Sequence, residues 1–348
     1  MRWAWALALL APALTATVET AEAADWLDRF REIAGRYAEG VGPESDTALL
    51  SSLLEIVDAE VGENLASGPP FSSVAFIQER LDAFSDAWGG ASFKVVDAGR
   101  RRGDTALLGL FTVMRGEPRG SLRFYGRSEG QPALLAAVTH QGRVEAREWP
   151  GASQFLVSWS SSESGAGSRT LYLDLWRFPR GAAPSRVWSG EDTFPEGLRA
   201  GGFAVRAGQL VLRYDARYPG WKPGCADQTE QEDVYRPVAG GTGLMLVRRR
   251  IVNGWHRELQ SAVTRLYAAL GADDRRALVE LVADPPLRER LPRDLRAEPI
   301  CDEKDPVARG AVIVAATRER DGQRVPWSLT WRRGPRAWRV VAASPVLH

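Results

Sequence analysis

Hydrophobic and polar positions follow two different rhythms along this chain, and the change between them divides it. After residue 25, Trp26, Phe30, Ile33, Ala34 and Tyr37 recur at intervals of three and four. That spacing predicts an amphipathic helix, ended by Gly40-Val41-Gly42-Pro43. Ser45 or Asp46 is placed to cap a second helix carrying Leu50, Leu53, Leu54, Val57 and Val61 on one face. Gly68-Pro69-Pro70 breaks it, and a third helix follows through Val74, Ile77, Leu81, Phe84 and Trp88.

From Phe93 the alternation becomes strand-like. It predicts strands near 93–98, 106–114, 121–127, 133–139, 143–149, 154–160, 169–178, 185–189, 203–206, 209–215 and 244–252. Turns of Gly, Pro and Ser separate them at about ten-residue spacing, the rhythm of an antiparallel all-β domain, propeller-like or sandwich. Thr139–Arg143 and Val205–Gln209 both read as tight hairpins. No fixed repeat accompanies the tryptophans of this stretch.

Helical spacing returns at Asn253, an expected N-cap for a helix with Trp255, Leu259, Val263, Leu266 and Leu270 on one face and Gly271 as its stop. A short helix through Leu278 and Leu281 and another from Pro285-Pro286 follow. Val312 and Val314 precede a turn at Asp321-Gly322. Val325, Trp327, Leu329 and Trp331 then alternate with polar or small positions, and Gly334-Pro335 leads into Trp338-Arg339-Val340-Val341. The expected fold class is α+β: a helical segment over 24–92, an antiparallel β domain over 93–252 and an α+β domain over 253–348.

The first 23 residues differ from all of this. Met1-Arg2 is a short positive start, Trp3 to Val18 is apolar or small, and Ala21-Glu22-Ala23 has the small-x-small pattern of a cleavage site. This is the anatomy of a secretory signal peptide cut near Ala23 or Ala24, so an exported chain, periplasmic or secreted, is expected. No transmembrane segment is expected in the mature chain.

The last quarter, long helix, two short helices and an antiparallel sheet finishing in Trp338-Arg339-Val340-Val341, resembles the ketosteroid-isomerase-like (nuclear-transport-factor-like) cone superfamily. The resemblance implies a cone that either holds a small-molecule pocket or serves as a non-catalytic accessory module, and fold alone does not select between these. Isomerase chemistry of that type needs a carboxylate base and an acidic donor inside the cone. The strand positions read as inward, Val312, Val314, Val325, Trp327, Leu329, Trp331 and Trp338, hold no carboxylate. Tyr267 offers a hydroxyl and His256 a base, but both fall on or beside the apolar face of the helix and read as packing residues.

Composition narrows the partners. Apolar residues at 44% and charged residues at 26% are ordinary globular values, which argues for ordered domains. A net charge of +1 supplies no long-range field for nucleic acid, and no nucleic-acid partner is expected. Arg100-Arg101-Arg102 and Arg248-Arg249-Arg250 read as solvated sheet edges that discourage edge-to-edge pairing. The serine-rich run 158–167 lacks a Gly-x-Ser-x-Gly elbow and reads as a hairpin tip. The chain also lacks Ser-x-x-Lys, the phosphate-loop pattern and His-Glu-x-x-His.

Candidate chemistry is sparse. Cys225 and Cys301, in an exported chain, are expected to form a disulfide. Tyr218 and Trp221, on a proline-glycine turn, are candidates for stacking on a sugar ring, against a lid packed over the sheet. Asp227, Glu230, Glu232 and Asp233 after one cysteine, and Asp302, Glu303 and Asp305 after the other, offer oxygen ligands for calcium, against solvated loops. The sequence thus points to an exported, soluble, multi-domain binding or accessory protein of a bacterial cell envelope, and away from an enzyme. Its ligand would be a small molecule, a glycan or an envelope protein. Two alternatives stay open: an exported hydrolase using loop carboxylates such as Glu191, Asp192 and Glu196, and a structural protein-interaction module.

Overall fold

A computed structural model describes residues 16–40, 42–98, 106–150, 153–163, 168–179, 183–320 and 322–346. Residues 1–15 of the expected leader, the Arg100-Arg101-Arg102 cluster, 164–167 of the serine-rich run and Asp321 lie outside the described residues. The chain forms two compact units, Met1–Ser162 with Leu171–Gly197 and Glu163–Thr170 with Leu198–His348. Among the described residues no helix is long and apolar enough to cross a membrane.

The first unit contains α1 (Ala16–Glu39), α2 (Pro43–Ser67) and α3 (Val74–Trp88), then β1 (Ala91–Asp97), β2 (Leu107–Val113), β3 (Arg119–Ser128) and β4 (Gln131–Gln141). The four strands form an antiparallel sheet in sequence order. Phe93, Leu107, Phe111 and Tyr125 on one face share a core with Phe30, Leu53, Val57, Ile77 and Phe84 of the helices. Leu108, Leu110, Leu122 and Phe124 on the other face pack with Val144, Phe155, Val157, Trp159 and Trp176. Those partners come from β5 (Arg143–Glu148), β6 (Gln154–Ser160) and β7 (Arg169–Arg177), with β8 (Ser185–Ser189) beside β7. Sheet therefore faces sheet, as in a sandwich. Because β2 is covered on both sides, all seven of its residues are buried and its sequence runs apolar without alternating.

Two of the expected local features turn out differently here. Thr139–Arg143 is not a hairpin: β4 pairs with β3, whereas β5 pairs with β6, so the chain crosses between sheets at Gly142. A Cβ on Gly142, whose φ is +107°, would lie 2.6 Å from the Ser160 carbonyl carbon, so only glycine allows this crossing. In α2, Ser45 and Asp46 lie inside the first turn, because the helix already starts at Pro43.

The second unit opens with the antiparallel meander β9 (Leu198–Arg206), β10 (Gln209–Asp215), β11 (Glu230–Pro237) and β12 (Leu244–Val252). The hairpin expected at Val205–Gln209 is present, with Ala207 and Gly208 both at positive φ. Strand β11 escaped the sequence reading because Glu230-Gln231-Glu232-Asp233 looks like a solvated loop. Its acids instead face the arginine cluster of β12 across the ladder, Glu232 opposite Arg250 and Asp233 opposite Arg249. Then come α4 (Gly254–Ala272), α5 (Arg275–Leu281) and α6 (Pro285–Arg290). They pack on an antiparallel sheet of β13 (Arg296–Ala297), β14 (Glu303–Lys304), β15 (Ala311–Arg320), β16 (Gln323–Arg333) and β17 (Trp338–Pro345).

Leu259, Val263, Leu266 and Leu270 of α4 meet Val312, Val314, Leu329, Trp331 and Val340 in one core, while Val325 and Trp327 are half-buried. Gly271 does not stop α4, which ends one residue later with Asp273 in the left-handed conformation. Asn253 occupies the N-cap position but is itself left-handed, and its side chain makes no capping hydrogen bond. A buried threonine from outside the helix does that work.

Candidate functional site

Cys225 and Cys301 are disulfide-bonded, their Cα atoms 5.4 Å apart, and the bond ties the loop between β10 and β11 to the segment before β14. Around it lies a buried chain of polar side chains that begins at Thr229, which is fully buried. The Thr229 hydroxyl donates to the Asn253 carbonyl (2.8 Å) and accepts from the Arg257 amide (3.0 Å), so it satisfies a first-turn donor of α4. Its amide donates to the Tyr218 hydroxyl oxygen (3.1 Å).

From Tyr218 the donors run in one direction. The phenol donates to Nδ1 of His256 (2.5 Å), and His256 Nε2 donates to Oδ2 of Asp302 (3.0 Å). Gln260 Nε2 donates to the same oxygen (2.5 Å), and Lys222 Nζ reaches Oδ1 (2.9 Å) and the Ile300 carbonyl (2.6 Å). Both ring nitrogens of His256 are thus engaged, and Lys222 balances the Asp302 charge. Both side chains of the histidine–aspartate pair are almost wholly buried, at 4% and 2% exposed.

Burial shapes the electrostatics. It pushes the Asp302 pKa up, but hydrogen bonds from His256 and Lys222 and the positive charge of Lys222 outweigh it, leaving the carboxyl below its ordinary value. Burial raises the Tyr218 phenol, partly opposed by the hydrogen bonds from Thr229. Burial also raises Tyr267 on α4, with further pushes from the Asp302 and Glu298 charges, and its buried hydroxyl has no hydrogen-bond partner among the described residues. Both phenols are therefore protonated at neutral pH.

Tyr218 also forms part of the wall of an open groove of about 670 Å³. One side is the outer face of α4, with Arg257, Glu258, Ser261, Thr264 and Arg265; the other is the turn between β16 and β17, with Arg336, Ala337 and Trp338. Glu258 is paired with Arg333 (2.7 Å). Among the described residues Arg257, Arg265 and Arg336 have no carboxylate partner. The groove is thus cationic, with aromatic rings in its walls.

The other candidate residues are dispersed. Trp221 lies under the guanidinium groups of Arg199 and Arg217, 6.0 and 5.7 Å from its ring centroid, so its face is already occupied. Of the candidate calcium ligands, Asp227 pairs with Lys304 (2.6 Å), Glu230 with Arg213, and Glu232 with Arg250 (2.8 Å) and Arg248 (3.5 Å). Asp302 is held by Lys222, and Glu303 is exposed on β14. Among the described residues no group of three or more His, Cys, Asp or Glu could hold a metal ion. Four of these five acids thus face cations instead of one another.

In the first unit, Glu191 lies 3.8 Å from His140 Nδ1 and 3.4 Å from Arg186, in a cavity of about 330 Å³ that Arg119 and Tyr172 also line. Asp192 and Glu196 do not line it.

Lys222, Gln260 and Thr229 were missed in the sequence. The cysteines carried the available signal: once they are joined, Lys222 just before one and Asp302 just after the other must be neighbours. No known protein family matches the chain, and no curated protein matches it.

Proposed function

We propose that this chain is an exported binding or accessory protein of a bacterial cell envelope, and that its ligand enters the groove between α4 and the β16–β17 turn. One observation carries the reading: the residues of catalytic type beneath the groove are consumed by each other. Tyr218 donates to His256 and accepts from Thr229, both nitrogens of His256 are engaged, and Asp302 accepts from three side chains. A protonated phenol whose hydroxyl is locked between Thr229 and His256 is a poor nucleophile, whereas it is a rigid wall for a binding groove. Export is supported by the leader pattern of residues 1–23 and by the disulfide. The likeness of the last quarter to the ketosteroid-isomerase-like cone, whose expected order of helices and strands matches that from α4 to β17, supports a binding pocket and an accessory role alike.

The test is a thermal-shift screen of the intact protein against ligand classes, beside a Ser261→Trp variant that fills the groove from an exposed position on α4. A ligand at about a hundred times its Kd adds about 2.7 kcal/mol of stability. The expected result is a hit that raises the Tm of the wild type and not of the variant, with no chemical change in the recovered ligand. Turnover of the hit would replace this reading with the hydrolase alternative. For that alternative, His140 beside Glu191 in the first-unit cavity is the observation in favour, and His140→Ala is the variant that would abolish it.

A further inference from the structure

We infer that the groove of the second unit takes a phosphoryl-bearing ligand with an apolar body, its phosphoryl head held by Arg257, Arg265 and Arg336. The inference rests on the groove being a binding site. Its first support is charge: three exposed arginines line the groove from two elements, and among the described residues none is neutralised by a protein carboxylate. The one acid of the groove, Glu258, is taken by Arg333. A ligand that leaves those cations unpaired forfeits most of what the groove offers.

The second support is geometry. Arg257 and Arg265 are eight residues apart on one face of α4, about 12 Å along the axis, and Arg336 comes from the opposite wall. Long arginine side chains at such positions have the reach to present several N–H forks to one multiply charged anion. A single carboxylate has two oxygens and one charge and cannot meet them all, whereas a phosphoryl or diphosphate group brings multiple charge and several strong acceptors.

The third is the rest of the wall. Tyr218 has spent its hydroxyl on internal bonds and offers mainly its ring. Trp338 also lines the groove but is packed into the core at 4% exposed, and its Nε1 has no hydrogen-bond partner among the described residues. The Tyr218 ring with Pro219 and Ala337 of the lining suits an apolar portion beyond the head.

The experiment is calorimetric titration of the intact protein at low salt with inorganic diphosphate, orthophosphate and the neutral sugar maltotriose. In parallel, co-sedimentation uses phosphatidylcholine vesicles with and without phosphatidic acid. Diphosphate, or the phosphatidic-acid vesicles, should bind, and the arm that binds distinguishes a free from a lipid-borne phosphoryl group. Affinity should fall about tenfold in Arg265→Gln and again in Arg336→Gln, should be partly kept in Arg265→Lys, and should weaken as salt rises. Phosphoryl binding that both glutamine variants leave unchanged would overturn the assignment, as would no phosphoryl binding by the folded protein. Maltotriose binding blocked by Ser261→Trp, without phosphoryl binding, would overturn the ligand class and keep the groove as a binding site. If no ligand class in the thermal-shift screen distinguishes wild type from Ser261→Trp either, the binding reading itself falls.

Discussion

Asp58 in the first unit and Asp302 in the second are both held among hydrogen-bond donors, and the two behave in opposite ways. In the first unit, Asp58 of α2 accepts from Arg123 (2.7 Å) and from the Tyr125 hydroxyl (2.6 Å) of β3. Burial dominates there and lifts the Asp58 pKa above its ordinary value, against the pull of Arg123 and Tyr125. In the second unit, Asp302 accepts from His256, Gln260 and Lys222, and its pKa falls below the ordinary value despite burial. The lesson is that burial alone does not decide the charge state of an acid; the number and charge of the donors does. The settings differ as well. Asp58 joins a helix to the sheet it covers, whereas the Asp302 chain ends at Tyr218 in the wall of an open groove.

The sharpest way to break this comparison is to delete each carboxylate. Asp302→Ala leaves Lys222 inside without its counter-charge, and Asp58→Ala does the same to Arg123, so each should cost about 3–5 kcal/mol in urea unfolding. Only Asp302→Ala should also abolish the ligand-induced rise in Tm. If Asp58→Ala abolishes it too, the first-unit cluster is not merely structural.

Removing the disulfide comes next. Cys225→Ser with Cys301→Ser opens a loop closed across 76 residues, a loss of about 4 kcal/mol in the chain-entropy model. The loss should appear in the unfolding transition of the second unit and leave that of the first in place. A shift below about 1 kcal/mol would mean that the polar chain holds this region without the bond.

Acidity offers a subtler contrast, because the two shifts have opposite signs. The lowered pKa of Asp302 contributes stability that is present above its unfolded value and is lost as pH falls through the folded one. The raised pKa of Asp58 contributes stability that is full below its unfolded value and is lost as pH rises through the folded one. Urea unfolding between about pH 3 and 6 should therefore show that Asp302→Asn flattens the acid-side loss, while Asp58→Asn flattens the loss toward neutral pH. Slopes that change in the same direction in both variants would remove the distinction.

The smallest expected effect is that of Tyr218→Phe, which deletes one hydroxyl and should cost about 1 kcal/mol. It leaves the groove wall in place, so ligand binding should persist. A loss of binding comparable to Arg265→Gln would give the phenol a direct role at the ligand.

Much of this architecture was legible from local pattern. The three N-terminal helices, most strands of the first unit and the order from α4 to β17 follow from spacings of apolar residues, because burial of one face imposes a period that neighbours in sequence must obey. The disulfide partners followed from there being only two cysteines. Strand β11 was not legible, since its charged residues have no apolar period and become strand-like only once the arginines of β12 lie opposite. The crossing at Gly142 looked like a hairpin because turn chemistry identifies a reversal or a kink without naming the sheet that receives the next strand.

The candidate site shows the same divide. Lys222 and Asp302 are 80 residues apart, and the groove combines α4 with a turn that comes six helices and strands later. Composition showed acids, arginines and aromatic rings in sufficient number for a site. Which acid meets which cation, and which arginines remain without one, is set by long-range contacts between elements that no local period encodes. In this protein the hydrophobic effect wrote its pattern into the chain residue by residue, whereas the polar chemistry exists only between segments that folding brings together.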